Sequence, residues 1–175
     1  MIKRLIFDID GTLIAGVNFD KTVTNSLSAY GIYSEDNKQK FLNAISTYEN
    51  YHKKYETTQY LQYFSQSLGC NLDESFLKTH FRNLGIYAIP NDNQELIKTI
   101  DQLSKKYELV LLSNYFEESQ RGRLKNIGID KYFPEYYGEK ICKPHKKAFI
   151  DAIRCTSTSR VCNDWRPFRI RHKWC

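Results

Sequence analysis

Two short apolar runs, each closing abruptly on polar residues, constrain this chain more than any other feature. Leu5-Ile6-Phe7 ends at Asp8-Ile9-Asp10-Gly11-Thr12, and Leu109-Val110-Leu111-Leu112 ends at Ser113-Asn114. Runs of this length, bounded by turn formers, read as buried strands. Gly11 suits a sharp turn out of the sheet. After the second run, a helix from about Glu117 to Asn126 should stop near Gly128. A third short element surrounds Tyr136 to Cys142, followed by Lys143-Pro144. Pro144 suits the first position of a helix running through Ala148, Phe149, Ile150 and Ile153. Strands alternating with helices predict an α/β fold: a Rossmann-like, mostly parallel sheet.

The stretch from about Asn18 to Ala88 follows a different pattern. It is polar, rich in tyrosine and helical in period. Phe41, Ile45, Tyr48, His52 and Tyr55 recur at helical steps, as do Leu61, Phe64 and Leu68, with Gly69 as a stop. Leu72, Phe76, Leu77 and Phe81 suggest a further helix. Its tyrosines are expected to pack rather than to touch substrate. After Pro90, Asp92 and Glu95 have capping-box spacing, and Leu96, Ile97, Ile100 and Leu103 form a helical stripe. The expected division is a discontinuous core over 1–17 and 89–153, with 18–88 inserted as a helical unit.

The chain has 175 residues, enough for one domain with a modest insertion. No apolar run reaches the roughly 18 residues of a spanning helix, so no membrane segment is expected. Met1 to Phe7 is too short and too soon charged for a signal peptide, which leaves a cytoplasmic expectation. Five cysteines without tight spacing make a disulfide scaffold a poor fit.

Three strand ends carry polar groups: Asp8 and Asp10, Ser113 and Asn114, and Lys143. Open α/β sheets bind ligands in the crevice beyond the carboxyl ends of their strands. Two carboxylates, a hydroxyl and a lysine there suit a phosphate with a divalent cation. Mg²⁺ favours carboxylate and phosphate oxygens, and lysine binds phosphate as a point charge. One carboxylate can attack phosphorus while another passes a proton to the leaving oxygen.

Ile6-Phe7-Asp8-Ile9-Asp10-Gly11-Thr12-Leu13 resembles the first motif of the haloacid dehalogenase (HAD) superfamily of hydrolases and phosphatases. Leu111-Leu112-Ser113-Asn114 is similar to its second motif and Lys143-Pro144 to its third, in the right order over Met1 to Ile153. The resemblance implies Mg²⁺-dependent hydrolysis of a small phosphorylated metabolite through an aspartyl-phosphate. It makes Asp8 the nucleophile and a metal ligand. Asp10 becomes the general acid/base, with its main-chain carbonyl on the metal. Thr12 would support Asp10, Ser113 would bond the phosphoryl group, and Lys143 would stabilise Asp8 and the developing charge. Gly11, Thr12, Ser113, Asn114 and Lys143 form the expected phosphate-binding set. The inserted helices sit where the family places its cap. A sugar-phosphate mutase of the same family and a non-catalytic binding protein with a basic tail are the alternatives.

The resemblance also calls for a fourth motif, Gly-Asp-x4-Asp, after the helix that follows Lys143. Asp164 is the only acid beyond Ile153. Residues 154–175 carry +5 of the chain's net charge of +6, with both tryptophans and three of the five cysteines. Reading Val161 to Cys175 one base out of frame explains this. The single tryptophan codon then forces Gly at Trp165 and Trp174. The neighbouring codons permit Tyr-Val-Met-Ile-Gly-Asp-x4-Asp-Ile-Asn-Gly-Ala, a strand followed by the missing motif. The tail therefore reads as frameshifted and the core as C-terminally incomplete, with weakened metal binding, stability and activity expected. Cys155, Cys162, His172 and Cys175 lack zinc-site spacing. The interleaved Arg and Trp are weaker evidence for nucleic acid than for the shifted frame, so no nucleic-acid partner is expected.

Overall fold

The computed structural model describes residues 3–17 and 19–153. The order is β1 (Arg4–Phe7), α1 (Phe19–Ala29), α2 (Glu35–His52), α3 (Thr57–Leu68), α4 (Glu74–Tyr87), α5 (Gln94–Ser104), β2 (Glu108–Leu112), α6 (Glu117–Ile127), a 3₁₀ turn (Asp130–Tyr132), β3 (Glu135–Tyr137) and α7 (Lys146–Ile153). The strands form one parallel sheet in the order β1-β2-β3, with Phe7 opposite Leu111 and Leu112 opposite Tyr137.

Strand β2 lies in the middle, which is why its sequence is an unbroken apolar run. Its side chains alternate between two clusters. Leu109 and Leu111 pack with Ile100 of α5, Leu124 and Ile127 of α6, and Phe133. Val110 and Leu112 pack with Ala148 and Ala152 of α7. Helices therefore cover both faces, as expected for an α/β sheet of this kind. Arg4 clasps the start of the sheet: it reaches Glu108 at 2.7 Å, Glu135 at 3.3 Å and the Ala152 carbonyl at 2.8 Å. Among the described residues β1 pairs on one side only, and Ile6 remains 37 % exposed.

Helices α1–α4 share a separate aromatic centre. Phe41, Tyr48, Tyr60, Phe64 and Phe76 are fully buried there, and Tyr60 stacks on Phe64 at 4.2 Å between centroids. Ser34, Glu56 and Asp73 cap α2, α3 and α4 by accepting backbone N–H bonds. Gly69 ends α3 with φ +67. Between α1 and α4 lies a buried polar knot. Ser26 Oγ donates to the Thr22 carbonyl at 2.7 Å, and it lies 2.9 Å from His80 Nδ1 and 3.1 Å from Asn83 Nδ2.

Several expectations shift locally. Helix α2 stops at His52, with Lys53 left-handed at φ 52, so Tyr55 reaches the aromatic centre from a loop rather than along a helix face. Helix α5 starts at Gln94, and Asp92 accepts from the Gln94 N–H, so the capping box with Glu95 does not form. The strand expected over Tyr136 to Cys142 is confined to Glu135–Tyr137. Helix α7 begins at Lys146, leaving Pro144 in the preceding turn behind a cis peptide bond. The readings of a frameshifted tail and a missing fourth motif concern residues 154–175, which lie outside the described residues. Among the described residues no helix is long and apolar enough to cross a membrane.

Candidate active site

Parallel pairing brings the carboxyl ends of all three strands to one side, so Asp8, Ser113 and the loop after Tyr137 emerge together. Gly11 turns the chain back with φ +79, its N–H bonded to the Ile14 carbonyl at 2.8 Å. Gly138 has φ +115, and a Cβ there would lie 2.1 Å from the Ser113 carbonyl oxygen. Only glycine lets β3 exit so close to the end of β2. Ser113 N–H donates to the Tyr137 carbonyl at 3.0 Å, and the Tyr136 hydroxyl lies 2.8 Å from the Ser113 carbonyl and 3.0 Å from that of Tyr115.

Lys143 Nζ lies 2.6 Å from Asp8 Oδ2, while Asp8 Oδ1 accepts from the Ile9 N–H at 2.8 Å. The Asp8 side chain is 39 % exposed, so its carboxylate is open to a ligand. Asn114 anchors the Lys143 loop in both directions: its amide donates to the Lys143 carbonyl at 3.2 Å and accepts from the Lys143 N–H at 2.8 Å. That pairing turns the Asn114 amide to backbone, whereas the sequence placed it among the phosphate contacts. Thr12 is exposed, and bonds to the Asp10 carboxylate come from α6. Arg123 meets it with both terminal nitrogens, at 2.7 and 3.1 Å. Gln120 Nε2 lies 3.3 Å from Asp10 Oδ2, 3.4 Å from Ser113 Oγ and 3.2 Å from the Asn114 carbonyl.

Gln120 thus joins two of the strand ends, and Asn114 joins the second to the third. The sequence reading missed Gln120, Arg123 and Gly138. One signal was present: α6 buries Ser119, Gln120 and Arg123 where an amphipathic helix would place apolar residues. Cys142 is buried: its thiol lies 3.1 Å from the Gly138 carbonyl, and burial pushes its pKa up to about 12.

The helical layer comes down on this loop. The Tyr55 N–H donates to the Glu139 carbonyl at 2.7 Å, and the Cys142 N–H to the Lys53 carbonyl at 3.0 Å. Tyr115, two residues beyond Ser113, packs edge-on against Tyr55 and Tyr60. Among the described residues no cluster of three or more His, Cys, Asp or Glu could hold a metal alone. The donor chemistry at Asp8 and Asp10 still fits Mg²⁺, which uses one or two carboxylates and fills its octahedron with phosphate oxygens and water.

Residues 2–161 match the family described as haloacid dehalogenase-like hydrolase. The chain belongs to that family. Solved HAD structures share its fold. YfnB of Bacillus subtilis, bound to magnesium, aligns at 18 % identity and TM-score 0.59, over 91 % of this chain and 74 % of its own. The HAD family enzyme bt-2542 of Bacteroides thetaiotaomicron, in complex with magnesium and inorganic phosphate, aligns at 20 % identity and TM-score 0.58, over 88 % and 78 %. L-2-haloacid dehalogenase of Xanthobacter autotrophicus aligns at 19 % and TM-score 0.55, over 89 % of this chain and 66 % of its own length. No curated protein matches the sequence. In this HAD-like hydrolase the Asp8–Lys143 pair lies beyond the carboxyl ends of the parallel strands.

Proposed function

We propose that this HAD-like hydrolase acts on a small phosphomonoester, with Asp8 as nucleophile and Asp10 as acid/base. The observation that carries this is the convergence of Asp8 and Asp10 after β1, Ser113 after β2 and Lys143 in the loop beyond β3, with Lys143 Nζ 2.6 Å from Asp8 Oδ2. Asp8 would attack phosphorus to form an aspartyl-phosphate, splitting one difficult substitution into two easier ones. Asp10 would protonate the departing alcohol and later take a proton from the attacking water. Ser113 and Lys143 would bind phosphoryl oxygens where negative charge develops. Asp8 and the Asp10 carbonyl would hold Mg²⁺, which supplies electrostatic stabilisation of the phosphoryl group when bound. A carbon–halogen substrate is less well served, because Asp10 supplies the proton that an alkoxide leaving group needs.

We take 1–17 with 89–153 as the core and 18–88 as a cap that excludes water and selects substrate. If residues 154–175 replace the family's acidic fourth motif, Mg²⁺ would be held weakly and turnover would be low. The test is Mg²⁺-dependent p-nitrophenyl phosphate hydrolysis by this chain, its Asp8→Asn variant and a chain with the frame restored from about Arg154. The expected order is restored chain, then this chain, with Asp8→Asn at background. Equal rates for this chain and Asp8→Asn, in both tail contexts, would sink the hydrolase reading. Equal rates for this chain and the restored one would sink only the impairment.

A further inference from the structure

Arg123 is 2 % exposed, whereas its carboxylate partner Asp10 is 37 % exposed. Burying a guanidinium beside a half-open carboxylate is a poor route to stability, because desolvation costs several kcal/mol while solvent screens the attraction. The arrangement does fix geometry. A planar guanidinium meets a carboxylate with two parallel bonds and so sets its orientation. Arg123 Nη1 also donates to Gln120 Oε1 at 2.8 Å, and Gln120 in turn faces Asp10 and Ser113. The remaining contacts lead elsewhere. Nε donates to the Ala88 carbonyl at 3.0 Å, and the guanidinium lies 5.5 Å from the Phe19 ring centroid. Phe19 opens α1 and Ala88 closes α4, so these are the two places where the chain enters and leaves the helical insertion.

We propose that Arg123 is the positioning residue of Asp10, and that its contacts with Ala88 and Phe19 tie that carboxylate to both connections of the helical layer. The proposal rests on the acid/base role of Asp10. Its consequence is selective. An acid matters most when the leaving group is a poor one, so alkyl phosphates depend on Asp10 far more than p-nitrophenyl phosphate does. Arg123→Met is expected to lower kcat/KM for ethyl phosphate by ~10²-fold while lowering that for p-nitrophenyl phosphate by only a few-fold. Arg123→Lys, which keeps charge but loses the fork, should fall between wild type and Arg123→Met. A merely structural arginine would lower both substrates equally, and that result overturns the proposal.

Two measurements hold whatever the activity. Asp10→Asn should lower the thermal midpoint in wild type, where it strands a buried guanidinium, and change it little in Arg123→Met. Equal shifts in both backgrounds overturn the pairing. Peptides containing Phe19 and Ala88 should exchange amide hydrogens faster in Arg123→Met and in Arg123→Lys. Unchanged exchange overturns the tie to the helical layer. If wild type matches Asp8→Asn on both phosphates in both tail contexts, the hydrolase reading fails instead, and the coupling of midpoints still decides whether Arg123 holds Asp10.

Discussion

The buried His80 makes the helical layer sensitive to acid by an amount the structure sets. Its ring is 2 % exposed, wedged between Phe41 at 5.3 Å and Phe76 at 6.0 Å. With Ser26 donating its proton to the Thr22 carbonyl, His80 Nδ1 donates to Ser26 Oγ, and burial keeps the ring neutral at pH 7. Burial pushes its pKa down to about 4, against about 6.5 in an unfolded chain. The unfolded state therefore takes up the proton first as pH falls. Stability held at pH 7 drains away between about pH 6.5 and pH 4, and the loss levels off below that. Proton linkage over that gap is worth about 3 kcal/mol between pH 7 and pH 4. The assay is urea unfolding at a series of pH values, for wild type and for His80→Gln, which keeps a donor near Ser26 but does not titrate. Carboxylate pairs titrate in both proteins and cancel in the difference. Wild type should lose about 3 kcal/mol more than His80→Gln over that interval. Parallel curves would refute the reasoning, and so would a wild type that loses less than the variant.

Two further outcomes test how the sheet holds the site. Gly138→Ala places a Cβ 2.1 Å from the Ser113 carbonyl at φ +115, so the strand end must move. A loss of about 2–4 kcal/mol in unfolding free energy is expected, and a midpoint unchanged from wild type would show that the close approach is not needed. Arg4→Met removes bonds to Glu108, Glu135 and the Ala152 carbonyl. It should cost roughly 1–3 kcal/mol and free the last turn of α7. Denaturation together with amide exchange in α7 checks both, and Glu108→Gln alone should cost less because Glu108 is the more exposed partner.

Much of the core can be read directly from residue order. A buried central strand needs an unbroken apolar run, and Leu109 to Leu112 supply one. A sharp exit needs a residue free of Cβ strain, and Gly11 and Gly128 stand where their positive φ values require it. Once parallel strands are inferred, the convergence of Asp8 and Ser113 follows, because every strand of such a sheet points its carboxyl end the same way. Local chemistry between near neighbours therefore determined the elements, their alternation and the side of the sheet that faces a ligand.

Tertiary structure alone decided which groups hold those side chains. Arg123 and Asp10 are 113 residues apart, Asn114 and Lys143 are 29 apart, and neither pair leaves a periodic trace. A buried arginine looks like any surface arginine until its partner is known. His80 is marked as neutral and buried only by the closing of Phe41 and Phe76 around it, and Gly138 is essential only because β3 runs against Ser113. Tyr55 shows the same limit from the other side. Its spacing continues the face of α2, yet Lys53 turns the chain, and the ring reaches the same aromatic centre by another path. Periodicity reports which surface a helix buries. Pairing across the fold depends on which surfaces meet, and that is settled only when the sheet and the helical layer pack together.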